Sequence, residues 1–272
     1  MDEAISKYAS LSKNIFTSKS NNSKAKFDHR VLEQQIKDIV EAIPPHKPLL
    51  QLEDTRANLC RTFVVSTSVH GGGAVRMRSY GTRDADPFRG CIYQVARATS
   101  AAPTFFEPVE IDDVLYGDGG TGWNNPTKEA IAEARNIWPR RPIGIVISIG
   151  TGLEAPIELK EKSEHAPKLI TILLNHTAPK YGNMLAVAEY AVNCLTSCEK
   201  VHNEIAEHPK HDILMGNYFR LNVPQGIGTI GLAEWDKLNS MIALTNRYME
   251  QAEMKIPKHR MANILLHPEH AG

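Results

Sequence analysis

No Gly-x-Ser-x-Gly occurs anywhere in the 272 residues. That motif is the strained strand-to-helix elbow that exposes a nucleophilic serine, so the usual signature of such a site is missing. Long apolar runs are missing as well. Nothing approaches the eighteen or so residues of a spanning helix, so any membrane contact is expected to be peripheral. The opening, MDEAISKYASLSKNIF, carries acids early and has no apolar core of a secretory signal. Net charge is absent too: Lys plus Arg is 31 and Asp plus Glu is 31, which calls for neither a nucleic-acid nor an acidic partner. Cysteine is sparse and scattered, at Cys60, Cys91, Cys194 and Cys198, and reads as reduced thiols in a cytoplasmic protein, peripheral at membranes if it meets them. The eleven histidines include no His-x-x-x-His pair, and Cys194 and Cys198 without partners make no zinc site, so no metal is expected.

What is present is an ordinary globular composition, 42% hydrophobic and 23% charged, long enough to bury a full core. No repeat and no clean linker divides the chain, so residues 1–272 are expected to form one domain. Ala4, Ile5, Tyr8, Leu11 and Ile15 fall at helical spacing. The polar stretch Thr17 to Lys26 reads as a mobile loop. A second helix starts near Asp28 and stops at Pro44-Pro45. Cys60 to Val69 reads as a buried strand, followed by HGGG and the alternating AVRMRSYG, which together predict a hairpin. A helix from Phe88 is broken at Pro103, and a short strand follows at Val114 to Tyr116. Asn125 and Pro126 then open a helix that Pro139 ends. Ile143 to Gly150 predicts a strand buried on both faces. A long helix over Tyr181 to His202, a strand over Asn217 to Pro224 and a last helix over Leu232 to Met254 complete the pattern. The tail beyond reads as a short turn and a frayed end. Strands alternating with helices predict an α/β layered fold.

The segment YGDGGTGWNNP, Tyr116 to Pro126, carries the chemistry. Asp118 ends an apolar run, and Gly119 and Gly120 open backbone angles closed to other residues, so the chain can turn sharply and fix the carboxylate. A carboxylate partly withdrawn from water has a raised pKa and becomes a usable general base. The tripeptide alone favours the plainer reading of a common turn in which Asp accepts backbone hydrogen bonds. Its neighbours reverse that. CRTFVVSTS, RSYG, ARATSAAPTFFEPV, YGDGGTGWNNPTKEA and ISIGTG, in that order, resemble the patatin-like phospholipase family, and the opening Ala-Ile-x-x-Tyr helix with KFDHRVLEQQIKDIV resembles its fungal branch. The resemblance is strongest over residues 3–152. Each block alone is unspecific; five in order are not.

The resemblance implies a patatin-like layered fold, a mixed and mostly parallel sheet flanked by helices. It implies a lipid acyl hydrolase with a Ser–Asp dyad, acting on phospholipid or another lipid ester without metal or organic cofactor. Asp118 of the Asp-Gly-Gly motif, Asp118, Gly119 and Gly120, would be the base. The serine of Gly-x-Ser-x-Gly would attack the ester, and a Gly-rich segment before it would bind the oxyanion. Both belong ahead of the Ala4 to Phe16 helix, so the resemblance implies an N-terminally truncated form whose nucleophile is absent. Losing the nucleophile of a serine hydrolase costs on the order of a million-fold in turnover, and losing an oxyanion donor roughly a hundred- to a thousand-fold. The chain as given is therefore expected to be inactive. The alternative is a non-catalytic lipid- or protein-binding remnant. Loss of central strands would also bare apolar faces on TFVVST and IGIVISIG.

Other groups invite a role and have plainer readings. His70-Gly71-Gly72-Gly73 looks like an oxyanion loop but reads as a hairpin tip. Ser66, Ser68, Ser100 and Ser148 lie outside any nucleophile elbow. Ser100 reads as a helix end, and Arg97 is expected to hold that corner by a salt bridge. Asn124 and Asn125 read as helix caps.

Overall fold

The computed structural model describes residues 2–21, 25–42, 60–153, 198–207 and 216–267. They fall into two compact units divided between Asn124 and Asn125.

The first unit opens with α1, Asp2–Thr17, and α2, His29–Glu41. Asp28 caps α2 by accepting the Arg30 N–H at 2.9 Å, which satisfies one of the helix's orphan donors. Pro44 and Pro45, read as its stop, lie outside the described residues. The segment between the helices is pinned at its ends: Lys19 bridges Phe27, and the Ser20 N–H donates to the Lys26 carbonyl. Ile15 and Leu32 are buried, and Phe16 meets Phe27 edge-on at 5.2 Å. Tyr8, which shares the helical spacing of Ile15, is 54% exposed.

A four-stranded sheet follows, ordered β2-β1-β4-β3. Its strands are β1, Phe63–Ser68; β2, Ala74–Arg78; β3, Val109–Ile111; and β4, Val114–Asp118. The predicted hairpin at His70 to Gly73 is present, with Val64 opposite Met77. The β3–β4 hairpin was not legible. Its turn is Asp112-Asp113, both at positive φ (49° and 62°), the backbone of a tight hairpin turn but without the glycine that signals one. Helix α3, Ile92–Thr99, starts where Cys91 donates its N–H to the Gln94 side chain at 2.8 Å. It lays Val95 and Ala98 on Met77, Ile111 and Tyr116, the core of this unit.

The second unit contains α4, Thr127–Ile137; β5, Val146–Ile149; α5, Cys198–Glu207; and β6, Tyr218–Leu221. A 3-10 turn, Trp235–Lys237, leads to α6, Leu238–Glu250, and α7, Ala252–Leu266. β5 and β6 pair in parallel. Ile131 and Ile205 pack together with Val146 and Tyr218 against them. The helix expected over Tyr181 to His202 is described only from Cys198 onward.

Three sequence expectations change here. Mixed helices and sheets are present, but three of the four ladders among the described residues are antiparallel: short turns join β1 to β2 and β3 to β4, and β1 also meets β4 antiparallel across the longer connection that carries α3. The β5 strand is not buried on both faces: Ser148 is buried, while Ile149 is 77% exposed. The last helix ends at Glu250, where Gln251 turns extended (ψ 146°), and the expected frayed tail is instead α7. α7 runs through Pro257 and is held by buried Met254, Met261 and Ile264, so packing outweighs the lost backbone bond.

Met77, fully buried beneath α3, sets the sharpest test of this packing. Met77→Ala should cost about 2–5 kcal/mol, and the exposed Tyr8→Ala about 0.5 kcal/mol or less. Urea unfolding of the two variants checks the contrast.

Candidate active site

The corner around Asp118 is built by β1. Ser66 pairs with Asp118 and Thr67 with Gly117 across the antiparallel ladder. Side chains of β1 reinforce the backbone bonds: Ser66 Oγ donates to the Gly117 carbonyl at 2.7 Å, and Thr67 Oγ1 to the Asp118 carbonyl at 2.9 Å. Thr99, the last residue of α3, donates its hydroxyl to the Val65 carbonyl at 2.6 Å. Strand, helix end and motif therefore meet at one backbone point.

Gly119 occupies that point. Its φ of −66° is open to any residue, so the reason for glycine is not backbone freedom as the motif suggests. A Cβ at Gly119 would lie 2.1 Å from the Val65 carbonyl oxygen, inside the main chain of β1. Gly119 is glycine so that β4 can turn away flush against β1. Conformational freedom is used three residues later, at Gly122 (φ 100°), which breaks the single helical turn Gly120–Trp123.

The Asp118 carboxylate is fixed by a hydrogen bond from the Gly120 N–H to Oδ1. Burial pushes its pKa above the ordinary aspartate range, and the Gly120 N–H draws it partly back. Such a group is held in one orientation and is more basic than a surface carboxylate. It can take a proton from a neighbouring hydroxyl.

The other polar groups singled out by sequence are placed elsewhere or engaged. Ser66 sits directly opposite Asp118 but is wholly buried with its hydroxyl on Gly117. Ser68 accepts the Gly71 N–H at 3.2 Å within the hairpin tip. Ser100 stands at the C-terminal end of α3, as read, and is exposed. Ser148 belongs to the second unit, 2.8 Å from Thr127 Oγ1 and accepting from Arg220 at 3.1 Å. None lies on a strand-to-helix elbow. Arg97 is buried and donates to the Glu107 backbone carbonyl, with its guanidinium over the Phe106 ring. No ion pair engages it among the described residues, so the corner is held by a main-chain bond and a ring in place of the expected salt bridge. Burial lowers the Arg97 pKa. Asn125 caps as expected, its Oδ1 accepting the Thr127 N–H at 3.2 Å, with α4 beginning one residue later than Pro126.

Sequence reasoning missed Thr67 and Thr99. Each supports the corner by a side-chain-to-backbone bond between segments far apart in the chain, and no local motif announces either.

Residues 2–131 match the family model described as patatin-like phospholipase, and Asp118 to Gly120 lie inside the matched span. The chain is 32% identical over 169 residues to calcium-independent phospholipase A2-gamma of Rattus norvegicus, covering 56% of this chain and 21% of that protein. Against the same-named protein of Homo sapiens it is 28% identical over 278 residues, 95% of this chain and 32% of that one. A shorter match, 41% over 61 residues, is to phospholipase A I of Arabidopsis thaliana, covering 22% of this chain and 5% of that protein. These matches support the patatin-like phospholipase family for this chain. The chain spans about a fifth to a third of the length of the calcium-independent phospholipase A2-gamma proteins it matches.

Two outcomes follow from the corner's geometry. Gly119→Ala should destabilise the fold by about 1–3 kcal/mol through overpacking, read as a lower urea midpoint. Asp118→Asn should act through pH. The folded pKa is raised, so the native state holds its proton longer than the unfolded chain does. The wild type is then penalised progressively as pH rises from the unfolded aspartate pKa through the raised folded value. Asp118→Asn should match wild-type stability in acid, below the unfolded aspartate pKa, and exceed it at neutral pH. Urea titrations across that range check the sign.

Proposed function

We propose that this chain contributes the base-bearing portion of a patatin-type lipid acyl hydrolase. Asp118 serves as general base to a serine nucleophile that these 272 residues do not carry in a Gly-x-Ser-x-Gly turn. The supporting observation is the Asp118 carboxylate itself. It stands at a strand end, partly buried, raised in pKa and oriented by one backbone N–H. The family match over residues 2–131 supports the same reading.

In the full arrangement, Asp118 takes the serine hydroxyl proton as the oxygen attacks a lipid ester carbonyl. The tetrahedral intermediate collapses, the alcohol leaves with that proton, and an acyl-serine remains. Water activated by the same carboxylate then releases the fatty acid and restores the serine. The substrate class is a carboxylic ester of a phospholipid or neutral lipid, and the step needs no metal or organic cofactor. The peripheral setting is the cytoplasmic face of a membrane.

A second reading is favoured by one specific observation. Ser66 and Ser148 are buried, and the hydroxyls of Ser66, Ser68 and Ser148 are engaged in local hydrogen bonds. By itself, the chain then binds lipid or protein without turning over esters.

Assay of the purified chain on phosphatidylcholine and on short-chain nitrophenyl esters tests the proposal. Turnover should stay at background. Robust turnover lost in Asp118→Asn would mean that a serine within the chain acts as nucleophile, and would overturn the missing-nucleophile account. Joining an upstream Gly-x-Ser-x-Gly segment in the family's order should produce turnover that Asp118→Asn removes. Turnover that survives Asp118→Asn in the joined chain would overturn Asp118 as base.

A further inference from the structure

The β1–β4 ladder ends one rung early. The Val69 N–H donates to the Leu115 carbonyl at 2.9 Å. In an antiparallel pair every second rung from there exchanges N–H···O bonds, which makes Thr67–Gly117 such a rung and Val65–Gly119 the next. β4 stops at Asp118 instead, and Gly119 turns out of the strand with helical backbone angles. At the vacated rung the Val65 carbonyl takes the Thr99 hydroxyl at 2.6 Å. A threonine in a helix commonly turns its hydroxyl back on the carbonyl three or four residues earlier. Thr99 sends it to a strand 34 residues away. The last turn of α3 is anchored on a second side as well, where Arg97 donates to the Glu107 carbonyl and lies over the Phe106 ring. The Thr99 oxygen would stand 3.4 Å from a Cβ on Gly119, so Gly119 packs against both partners of this hydrogen bond.

We propose that Thr99 is a positioning residue for the Asp118 base: its hydroxyl fills the vacated rung, releases Gly119 from the ladder and so aims the Gly120 N–H at the carboxylate. The reason is a competition for one donor. A buried carbonyl needs a hydrogen-bond partner, and Val65 is buried. Without the Thr99 hydroxyl, the donor in register for that carbonyl is the Gly119 N–H. Recruiting it pulls Gly119 back toward the strand and swings the Gly120 N–H off Asp118 Oδ1. Thr99 touches neither the carboxylate nor substrate. It acts through two backbone groups. The catalytic consequence rests on Asp118 being the base, whereas the effect on the carboxylate does not.

Carboxyl-carbon and amide-proton NMR of the full 272-residue chain tests it with Thr99→Val, Thr99→Ala and Thr99→Ser. In the parent, the Gly120 amide proton should move as Asp118 ionises, because it bonds the carboxylate. Thr99→Val and Thr99→Ala should lose that coupled movement. Both should also raise the Asp118 midpoint, since the N–H that favours the charged form is withdrawn. Thr99→Ser keeps the hydroxyl and should titrate like the parent. If Thr99→Val fails to fold, the alanine and serine variants, which differ by one hydroxyl, decide. Variants that lose stability in urea while both Asp118 readouts stay at the parent's values would overturn the proposal, because Thr99 would then be structural only. A serine variant that titrates like the alanine one would overturn it too. In the chain joined to an upstream Gly-x-Ser-x-Gly segment, Thr99→Ala should lower kcat about ten- to a hundredfold with KM little changed, and Thr99→Ser should restore it. Turnover that Asp118→Asn removes and Thr99→Ala leaves intact would overturn the role of Thr99 alone. Turnover that Asp118→Asn leaves intact would overturn Asp118 as base, and the NMR result for Thr99 would still stand.

Discussion

The approach of Gly119 to the Val65 carbonyl is the constraint on which the Asp118 corner depends. Two backbones meet with no room for one methyl group, and that contact sets where β4 stops and the motif turns. Its consequences spread in both directions. Thr99 hydrogen-bonds the same carbonyl, which ties the end of α3 to the turn. The Gly120 N–H is left pointing at Asp118, so the carboxylate is fixed by the chain that follows it. Burial then does the electrostatic work. The charged form loses water and gains one N–H, so the proton is held more tightly than on a surface aspartate.

The β1–β4 ladder is equally necessary. Ser66 and Thr67 give their hydroxyls to the two carbonyls that flank the motif's first bond, Gly117 and Asp118. That use explains why a serine placed opposite the carboxylate is not its substrate-facing partner. A hydroxyl that donates to a buried carbonyl, with no path to solvent, stabilises the strand pair and is unavailable for attack. The corner holds its base in a desolvated setting, and the neighbouring hydroxyls of Ser66, Thr67 and Thr99 are all given to backbone carbonyls, which fits a site completed from elsewhere or a binding role.

Much of this was legible in the sequence, for physical reasons that can be named. Asp118 was visible because a carboxylate between an apolar strand and two glycines is a local pattern. The His70 to Gly73 hairpin and the strand at Tyr218 to Leu221 were visible because turn glycines and alternation are local too. The role of Gly119 was misread. Its partner Val65 lies far away in sequence, and an ordinary φ gives glycine no local purpose. The β3–β4 hairpin was missed because Asp112 and Asp113 take positive φ without glycine. Ile149 was misplaced because an apolar run shows that a strand can be covered on both faces, never that it is. α7 was lost to Pro257, whose local cost is outweighed by three buried side chains.

The central claim is that this corner holds Asp118 with a raised pKa. Carboxyl carbon NMR of the labelled chain, titrated through acid and neutral pH and assigned with Asp118→Asn, measures it directly. The account predicts an Asp118 midpoint above the ordinary aspartate range. A midpoint at or below that range would contradict it, because a carboxylate so easily ionised would be neither desolvated nor poised as a base.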